Sequence, residues 1–118
     1  MKFQSVSAAL AILFSLALVK ADDYANFFDD SACSVNGGIG VDIYNDGCLA
    51  EGGRGSVYIP AASSGSLDNM CLVKTASDGT CSCQSEGYNF TPTGFCAVLD
   101  PTVQSYRFIN QACAANNC

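Results

Sequence analysis

The 118-residue sequence contains neither histidine nor tryptophan. Without histidine the chain has no Ser-His-Asp triad, no Cys-His dyad, no histidine-based ribonuclease site and no zinc site with imidazole ligands. Carboxylate chemistry is the hydrolytic mechanism that remains, and a glycosidase needs two carboxyl groups roughly 5–9.5 Å apart across a cleft. Tryptophan, a common platform for sugar rings in such clefts, is absent.

Seven acidic residues are candidates for a catalytic pair, but most of them stand beside Gly, Asn or Pro, where acidic side chains commonly stabilise turns. They are Asp42, Asp46, Glu51, Asp68, Asp78, Glu86 and Asp100. We interpret them as solvated turn residues. The sequence therefore predicts a protein that is not an enzyme and that has no cofactor and no bound metal.

The N-terminus predicts a secretory signal peptide. Lys2 supplies a positive charge, and an apolar run of fourteen residues follows at positions 6–19. A bilayer-spanning helix needs about 20 residues, so a signal peptide is favoured over the alternative of a short membrane anchor. Val19 and Ala21 place small residues at the −3 and −1 positions, which predicts cleavage after Ala21. The expected mature chain is one secreted domain, residues 22–118, with no membrane span.

Positive charge is scarce in residues 22–118. Arg54, Lys74 and Arg107 are the basic side chains and eleven are acidic, which gives a net charge of −8. A surface with this charge is repelled by phosphate backbones and by anionic membranes. We therefore expect no nucleic-acid binding and no lysis of membranes by positive charge.

Cysteine is the abundant chemical feature. An even number of cysteines behind a signal peptide is typical of a disulfide framework, and the eight are Cys33, Cys48, Cys71, Cys81, Cys83, Cys96, Cys113 and Cys118. Their spacing lacks the paired C-x2-C pattern of zinc sites. The 105 possible pairings stay open. Cys81 and Cys83 are too close in sequence to pair easily with each other, and Cys118 is expected to hold the C-terminal segment in place.

Short runs of β-branched and aromatic residues between turn signals predict strands. These runs lie at residues 39–44, 56–59, 70–75, 80–84, 95–99 and 105–109. In the first run, Ile39, Val41 and Ile43 are expected on one half-buried face. Residues 88–94 are predicted to be a loop, and the acidic segment 22–31 a short helical turn or a lid.

The pattern predicts an all-β fold, a small disulfide-braced sandwich or barrel of five to six short strands. The alternative is a small α+β fold, with a helix in residues 22–33 or 100–105. A monomer is expected.

Arg54 is the most suggestive single residue, because three glycines flank it and a guanidinium on such a loop can bind a carboxylate of a partner. An internal ion pair is the favoured alternative. Tyr24, Phe27 and Phe28 form a second candidate contact surface, although core positions are favoured for these aromatics. Arg107 lies between Tyr106 and Phe108 in its predicted strand, so its side chain is expected on the face opposite these two aromatics.

Residues 89–91 are a sequon for N-linked glycosylation with Asn89 as the acceptor, in a predicted loop. The following Pro92 is expected to lower its use.

Three groups of segments resemble the small secreted cysteine-rich proteins of filamentous fungi, a class often described as effector candidates. They are Cys33 to Asn36, residues 41–49 leading to residues 53–58, and residues 105–109 followed by the Cys113-to-Cys118 tail. The resemblance implies action outside the cell, on a host, a competitor or the fungal wall. It brings no defined active site, so no residue role is transferred.

Together these observations predict a non-enzymatic secreted protein that binds an extracellular protein of a host or competitor, with cell-wall polysaccharide as another partner to consider. A killer-toxin-like or antimicrobial protein is the first alternative. A small hydrolase or a hydrolase inhibitor is the second.

Overall fold

The computed structural model of the chain describes residues 23–63 and 69–118, so the predicted signal peptide lies outside the described residues. Seven strands and no helix are found within them. The strands are β1 (Tyr24–Phe28), β2 (Val41–Asp42), β3 (Ser56–Ala61), β4 (Met70–Thr75), β5 (Glu86–Phe90), β6 (Thr93–Val98) and β7 (Ser105–Ile109). The predicted all-β fold is confirmed. In the described ranges, no helix is long and apolar enough to cross a bilayer.

The strands form two antiparallel sheets. The first sheet has the order β2-β1-β3-β6 and the second has the order β5-β4-β7. Side chains alternate between the two faces of each strand. The inward-facing side chains of both sheets meet in a shared core, as in a β-sandwich. The rings of Phe27 in β1 and Tyr106 in β7 mark this contact, with centroids 5.1 Å apart.

Two segments differ from the strand predictions near the N-terminal end of the described chain. Residues 24–28 form β1 rather than a helical turn, because Ala25 and Phe27 alternate inward against the core. The predicted strand 39–44 is reduced to Val41–Asp42. Ile39 is 91% exposed whereas Ile43 is fully buried, so the expectation that they share one face is wrong.

The region after β4 also differs. Residues 80–84 form no strand, since the Asp78 carboxylate accepts hydrogen bonds from Thr80 and Ser82 and Cys81 has a positive φ of 55°. Instead β5, which the sequence predicted to lie partly in a loop, pairs with β4. Residues 100–103 form a turn in which Asp100 accepts hydrogen bonds from Thr102. The helix of the α+β alternative is absent from the described residues.

All eight cysteines are in disulfides, as predicted: Cys33–Cys96, Cys48–Cys81, Cys71–Cys113 and Cys83–Cys118. Cys81 and Cys83 take different partners, which the sequence led us to expect. The first bridge ties the loop after β1 to β6. Two of the others, from Cys113 and Cys118, fix the C-terminal segment across the second sheet. Four disulfides of this kind are consistent with an oxidising, extracellular environment.

Candidate functional site

The outer face of the first sheet is the main exposed apolar surface that we identify. In β1 and β3, alternate residues such as Phe27 and Val57 enter the core, so their neighbours point away from it. We call this surface the first-sheet face and define it by Tyr24, Asn26, Ile39, Tyr58 and Val98. Four of these are large hydrophobic residues with substantial exposure: Tyr24 48%, Ile39 91%, Tyr58 40% and Val98 68%.

The register of the sheet places these side chains in neighbouring rows. Asn26 of β1 is opposite Tyr58 of β3, which in turn is opposite Cys96 of β6. In the next row, Val98 is opposite Ser56. Direct and diagonal neighbours across strands lie within reach of one another, so Tyr58 is adjacent to Asn26, Tyr24 and Val98 on the same outward side of the sheet.

Ile39 is held at the edge of this patch by the glycine-rich segment before β2. The amide of Gly38 donates a hydrogen bond to the Phe27 carbonyl at 3.0 Å, and Asn26 Nδ2 donates to the Gly38 carbonyl at 2.7 Å. A Cβ atom at Gly40 would lie 3.0 Å from Cβ of Tyr24. The segment therefore lies flat against β1 only because glycine is present, and a shallow groove is formed by Tyr24, Asn26, Ile39 and Gly40.

The loop of residues 29–36 closes one end of the patch. Ser56 Oγ donates a hydrogen bond to the Asp30 carbonyl at 2.6 Å and accepts one from the Cys33 amide at 3.0 Å. The Asp30 carboxylate accepts further bonds from Ser34 and from the Val35 amide. These hydrogen bonds, chiefly those from Ser34, lower the pKa of Asp30 well below its usual range. The loop is thus a fixed rim, further restrained by the Cys33–Cys96 disulfide.

Arg54 stabilises this rim from within the protein. Its Nε donates to Glu51 Oε1 at 2.9 Å, and its Nη1 lies 3.0 Å from both Asp29 Oδ1 and the Asn36 carbonyl. The side chain is only 20% exposed. This is the internal ion pair that the sequence favoured for Arg54. Because internal acceptors already bind Nε and Nη1, these donors are not available to a carboxylate of a partner.

The three candidate aromatics have different surroundings. Tyr24 belongs to the first-sheet face, as described above. Phe27 is 1% exposed because it alternates inward in β1, so the contact role considered for it is incompatible with its position. Phe28 points outward but is half-buried, since Gly37 lies directly over its ring.

The sequon acceptor Asn89 lies in β5, and the prediction that it lies in a loop is wrong because this segment pairs with β4. Its side chain is on the outer side of the second sheet, where Oδ1 accepts a hydrogen bond from the Cys113 amide at 2.8 Å. The residue is exposed.

Of the seven carboxylates considered for catalysis, Asp68 lies outside the described residues, Glu86 is 3.9 Å from Lys74 Nζ, and four others accept local hydrogen bonds. Glu51 binds Arg54, and Asp78 and Asp100 each accept bonds from residues two to four positions later in turns. Asp42 accepts a bond from the Tyr44 amide in the same way. Within residues 23–63 and 69–118, no group of three or more acidic or cysteine side chains is arranged to hold a metal ion.

The sequence did not identify Ile39, Tyr58 and Val98 as contact residues: Ile39 was expected on a half-buried strand face, and Tyr58 in the core or the sheet. Tyr58 stands between Val57 and Ile59, two β-branched residues. Because side chains alternate along a strand, placing Val57 and Ile59 in the core places Tyr58 on the outer face. No comparable signal marks Ile39, because its exposure follows from the glycine-rich segment leaving the regular ladder.

Comparison of the chain with protein-family models, with curated proteins and with solved structures found no match.

Proposed function

We propose that this protein is a secreted, non-enzymatic binding protein whose first-sheet face contacts an extracellular protein of a host or competitor. The observation that carries the proposal is the clustering of Tyr24, Ile39, Tyr58 and Val98 on one exposed, disulfide-bordered sheet face. Contiguous exposed hydrophobic surface on a protein of this size commonly marks an interaction site.

The composition of the face favours a protein partner over a polysaccharide. The two most exposed members are aliphatic, Ile39 and Val98, and the two tyrosines combine an apolar ring with a polar tip. Tyrosine is enriched at the energetically dominant positions of protein interfaces, and aliphatic residues contribute to their dry centre. Aliphatic side chains offer a sugar ring neither a stacking surface nor a hydrogen bond.

Charge adds a second property to the expected partner. Residues 22–118 carry a net charge of −8, and the half-exposed Asp29 lies on the rim loop beside the face. Complementary potentials accelerate and orient association. The partner is therefore a protein whose binding surface has an apolar centre and a basic rim.

The proposal also rests on the local roles of the acidic residues. The turn and ion-pair contacts of Glu51, Asp78 and Asp100 are typical of structural carboxylates, which supports a function in binding rather than hydrolysis. The resemblance to the secreted cysteine-rich proteins of filamentous fungi is compatible with this assignment.

Capture experiments test the proposal. The oxidised protein is immobilised and exposed to extracellular fluid and, separately, to isolated wall polysaccharides, with a reduced and alkylated sample as the unfolded control. Ile39→Asp introduces a charge into the face, and Ala76→Asp introduces the same charge at an exposed position after β4. Saturable capture of a basic extracellular protein by wild type and Ala76→Asp, with a loss of at least roughly tenfold for Ile39→Asp, is expected. Equal capture by both variants, or capture of polysaccharide alone, would contradict it.

A further inference from the structure

A cavity lies on the opposite side of the molecule, on the outer face of the second sheet. Its floor is formed by Val73 of β4 and by Arg107 and Ile109 of β7, where Val73 and Arg107 are directly opposite each other. As expected from the sequence, Arg107 points away from the core that Tyr106 and Phe108 enter. The resulting cavity has a volume of about 180 Å³.

The walls of this cavity are two segments that the sequence alone does not place together, residues 81–84 and residues 114–117. Gln84 connects them, because its Nε2 donates to the Ala114 carbonyl at 2.7 Å and to Asn116 Oδ1 at 2.8 Å. The Gln84 amide donates to Asn117 Oδ1 at 2.6 Å. The Cys83–Cys118 and Cys71–Cys113 disulfides restrain the same segments, so the cavity is preformed.

Arg107 is the unusual group in this cavity. Its Nε atom is buried and has no hydrogen-bond partner among the described residues. Arg54 and Lys74, in contrast, are paired with carboxylates. Among the described residues that line the cavity, Arg107 is the only charged side chain. The Arg107 guanidinium lines a preformed cavity and forms no ion pair with a carboxylate of the described residues, so its charge is available to an anionic ligand.

We propose that this cavity binds a small organic carboxylate, with the Arg107 guanidinium as its charge partner. A planar guanidinium binds a carboxylate through two parallel hydrogen bonds. The apolar side chains of Val73, Ile109 and Ala115 suit a ligand whose remaining part is a short aliphatic or aromatic group. The volume is below that of sites for drug-sized ligands, which limits the occupant to a small acid or to a single acidic side chain.

The strong negative charge of residues 22–118 further limits which carboxylate ligands the cavity can bind. A polyanion is repelled by the net charge of −8 on residues 22–118, whereas a ligand with one negative charge is repelled far less and gains the full local attraction of Arg107. The site therefore favours monocarboxylates over polyphosphates or acidic polysaccharides. It is independent of the first-sheet face and of the function proposed for that face.

Nuclear magnetic resonance titration of the full oxidised protein tests this inference. The probes are propionate and benzoate, with propionamide and benzamide as neutral counterparts, and a blocked tripeptide with one central glutamate. We expect saturable shifts of the Arg107 Nε–H signal and of the Ala114, Ala115 and Asn117 amides with the carboxylates and none with the amides. Binding of the free acids alone identifies a small-molecule site, and binding of the peptide as well identifies an acidic side chain as the occupant.

Variants provide a second readout. Arg107→Gln is expected to raise the carboxylate Kd by roughly tenfold or more, since it removes both charge and fork geometry. Arg107→Lys retains the charge and is expected to show an intermediate loss. Lys74→Gln changes the net charge equally, at a residue paired with Glu86, and is the matched control. Absence of shifts at Arg107 in the wild-type protein, equal shifts with the amides, or an unchanged Kd in Arg107→Gln would overturn the proposal.

Discussion

Tyr58 of β3 lies directly opposite Cys96 of β6, and Cys96 is bonded to Cys33 in the loop after β1. One of the exposed tyrosines of the first-sheet face is thus adjacent to the disulfide that fixes the rim of that face. Gly94, two residues before Cys96, has a φ of 83°, and a Cβ there would come within 3.3 Å of the Tyr58 hydroxyl. Tyr58 is therefore positioned between the Cys33–Cys96 disulfide and Gly94, whose lack of a side chain leaves room for the tyrosine hydroxyl.

Removal of the rim disulfide is expected to destabilise the protein strongly. The Cys33–Cys96 bridge closes a segment with a sequence separation of 63, and the chain-entropy relation gives about 4 kcal/mol for a loop of that length. Denaturant unfolding of Cys33→Ala/Cys96→Ala measures this loss. Amide exchange should rise more in residues 29–36, which lose their local restraint, than in β4 of the other sheet, where exchange reports only the global loss of stability. Exchange that rises equally in both regions would contradict a local role for this bridge.

Substitution by glutamine is expected to lower the free energy of unfolding at Arg54 but not at Arg107. Arg54→Gln removes bonds to Glu51 and Asp29 and should lower the free energy of unfolding by about 1–2 kcal/mol. Arg107→Gln removes a guanidinium whose Nε has no partner in the described structure, so stability should change by less than about 0.5 kcal/mol or increase. Urea midpoints of both variants check this pair. A larger loss for Arg107→Gln than for Arg54→Gln would contradict the assigned contacts.

Tyr106 provides a test of the core. Its side chain is fully buried, and its hydroxyl has no hydrogen-bond partner among the described residues. Burial also raises the pKa of Tyr106 above its ordinary value. Tyr106→Phe keeps the ring contact with Phe27 and removes an unsatisfied polar group, so the unfolding free energy should be unchanged or higher by about 1 kcal/mol. A loss of more than about 1 kcal/mol would show that the hydroxyl has a partner.

Acid should weaken the fold through two aspartates. Hydrogen bonds from Ser82 and Thr80 lower the pKa of Asp78 to about 2, and the pKa of Asp30 is also lowered, whereas both groups titrate near 4 in an unfolded chain. The unfolded state therefore binds more protons in this interval. The contribution of both groups is complete only well above the unfolded pKa near 4; it is lost progressively as the pH falls through 4 towards 2, and for Asp30 the loss continues below that.

The aspartate variants separate these contributions. Asp78→Asn and Asp30→Asn should each flatten the dependence of the unfolding midpoint on pH between about 4 and 2. Asp46→Asn, at an exposed position in the loop after β2, makes the same change in charge and serves as the control. A slope that remains unchanged in Asp78→Asn would contradict the assignment.

Part of this structure was predictable because its determinants are local. Runs of β-branched and aromatic residues between turn signals identified β3, β4 and β7, and the count of cysteines indicated the four disulfides. The β5 strand escaped prediction because Gly87 and Asn89 are poor strand formers, and pairing with β4 stabilises them there. Close packing in β5 requires glycine at position 87, since a Cβ at Gly87 would lie 2.8 Å from Sγ of Cys113.

The candidate sites depended on contacts that the sequence does not encode locally. Ile39 is exposed because residues 37–40 lie against β1 as a flat, glycine-rich segment instead of continuing the ladder. The Arg107 cavity exists because disulfides bring residues 114–117 over the second sheet, and the sequence left the pairing of the cysteines open. The orientation of Arg107 was predictable, but the cavity around it was not.

Side-chain oxidative footprinting of the complex with a captured partner is the most direct test of the central claim. Hydroxyl radicals label exposed side chains, and mass spectrometry quantifies labelling at each residue. We expect partner binding to protect Tyr58, Ile39 and Val98 of the first-sheet face and to leave labelling of Tyr88 in β5 unchanged. Unchanged labelling of these three residues in the complex, with protection on the second sheet instead, would show that the first-sheet face is not the binding surface.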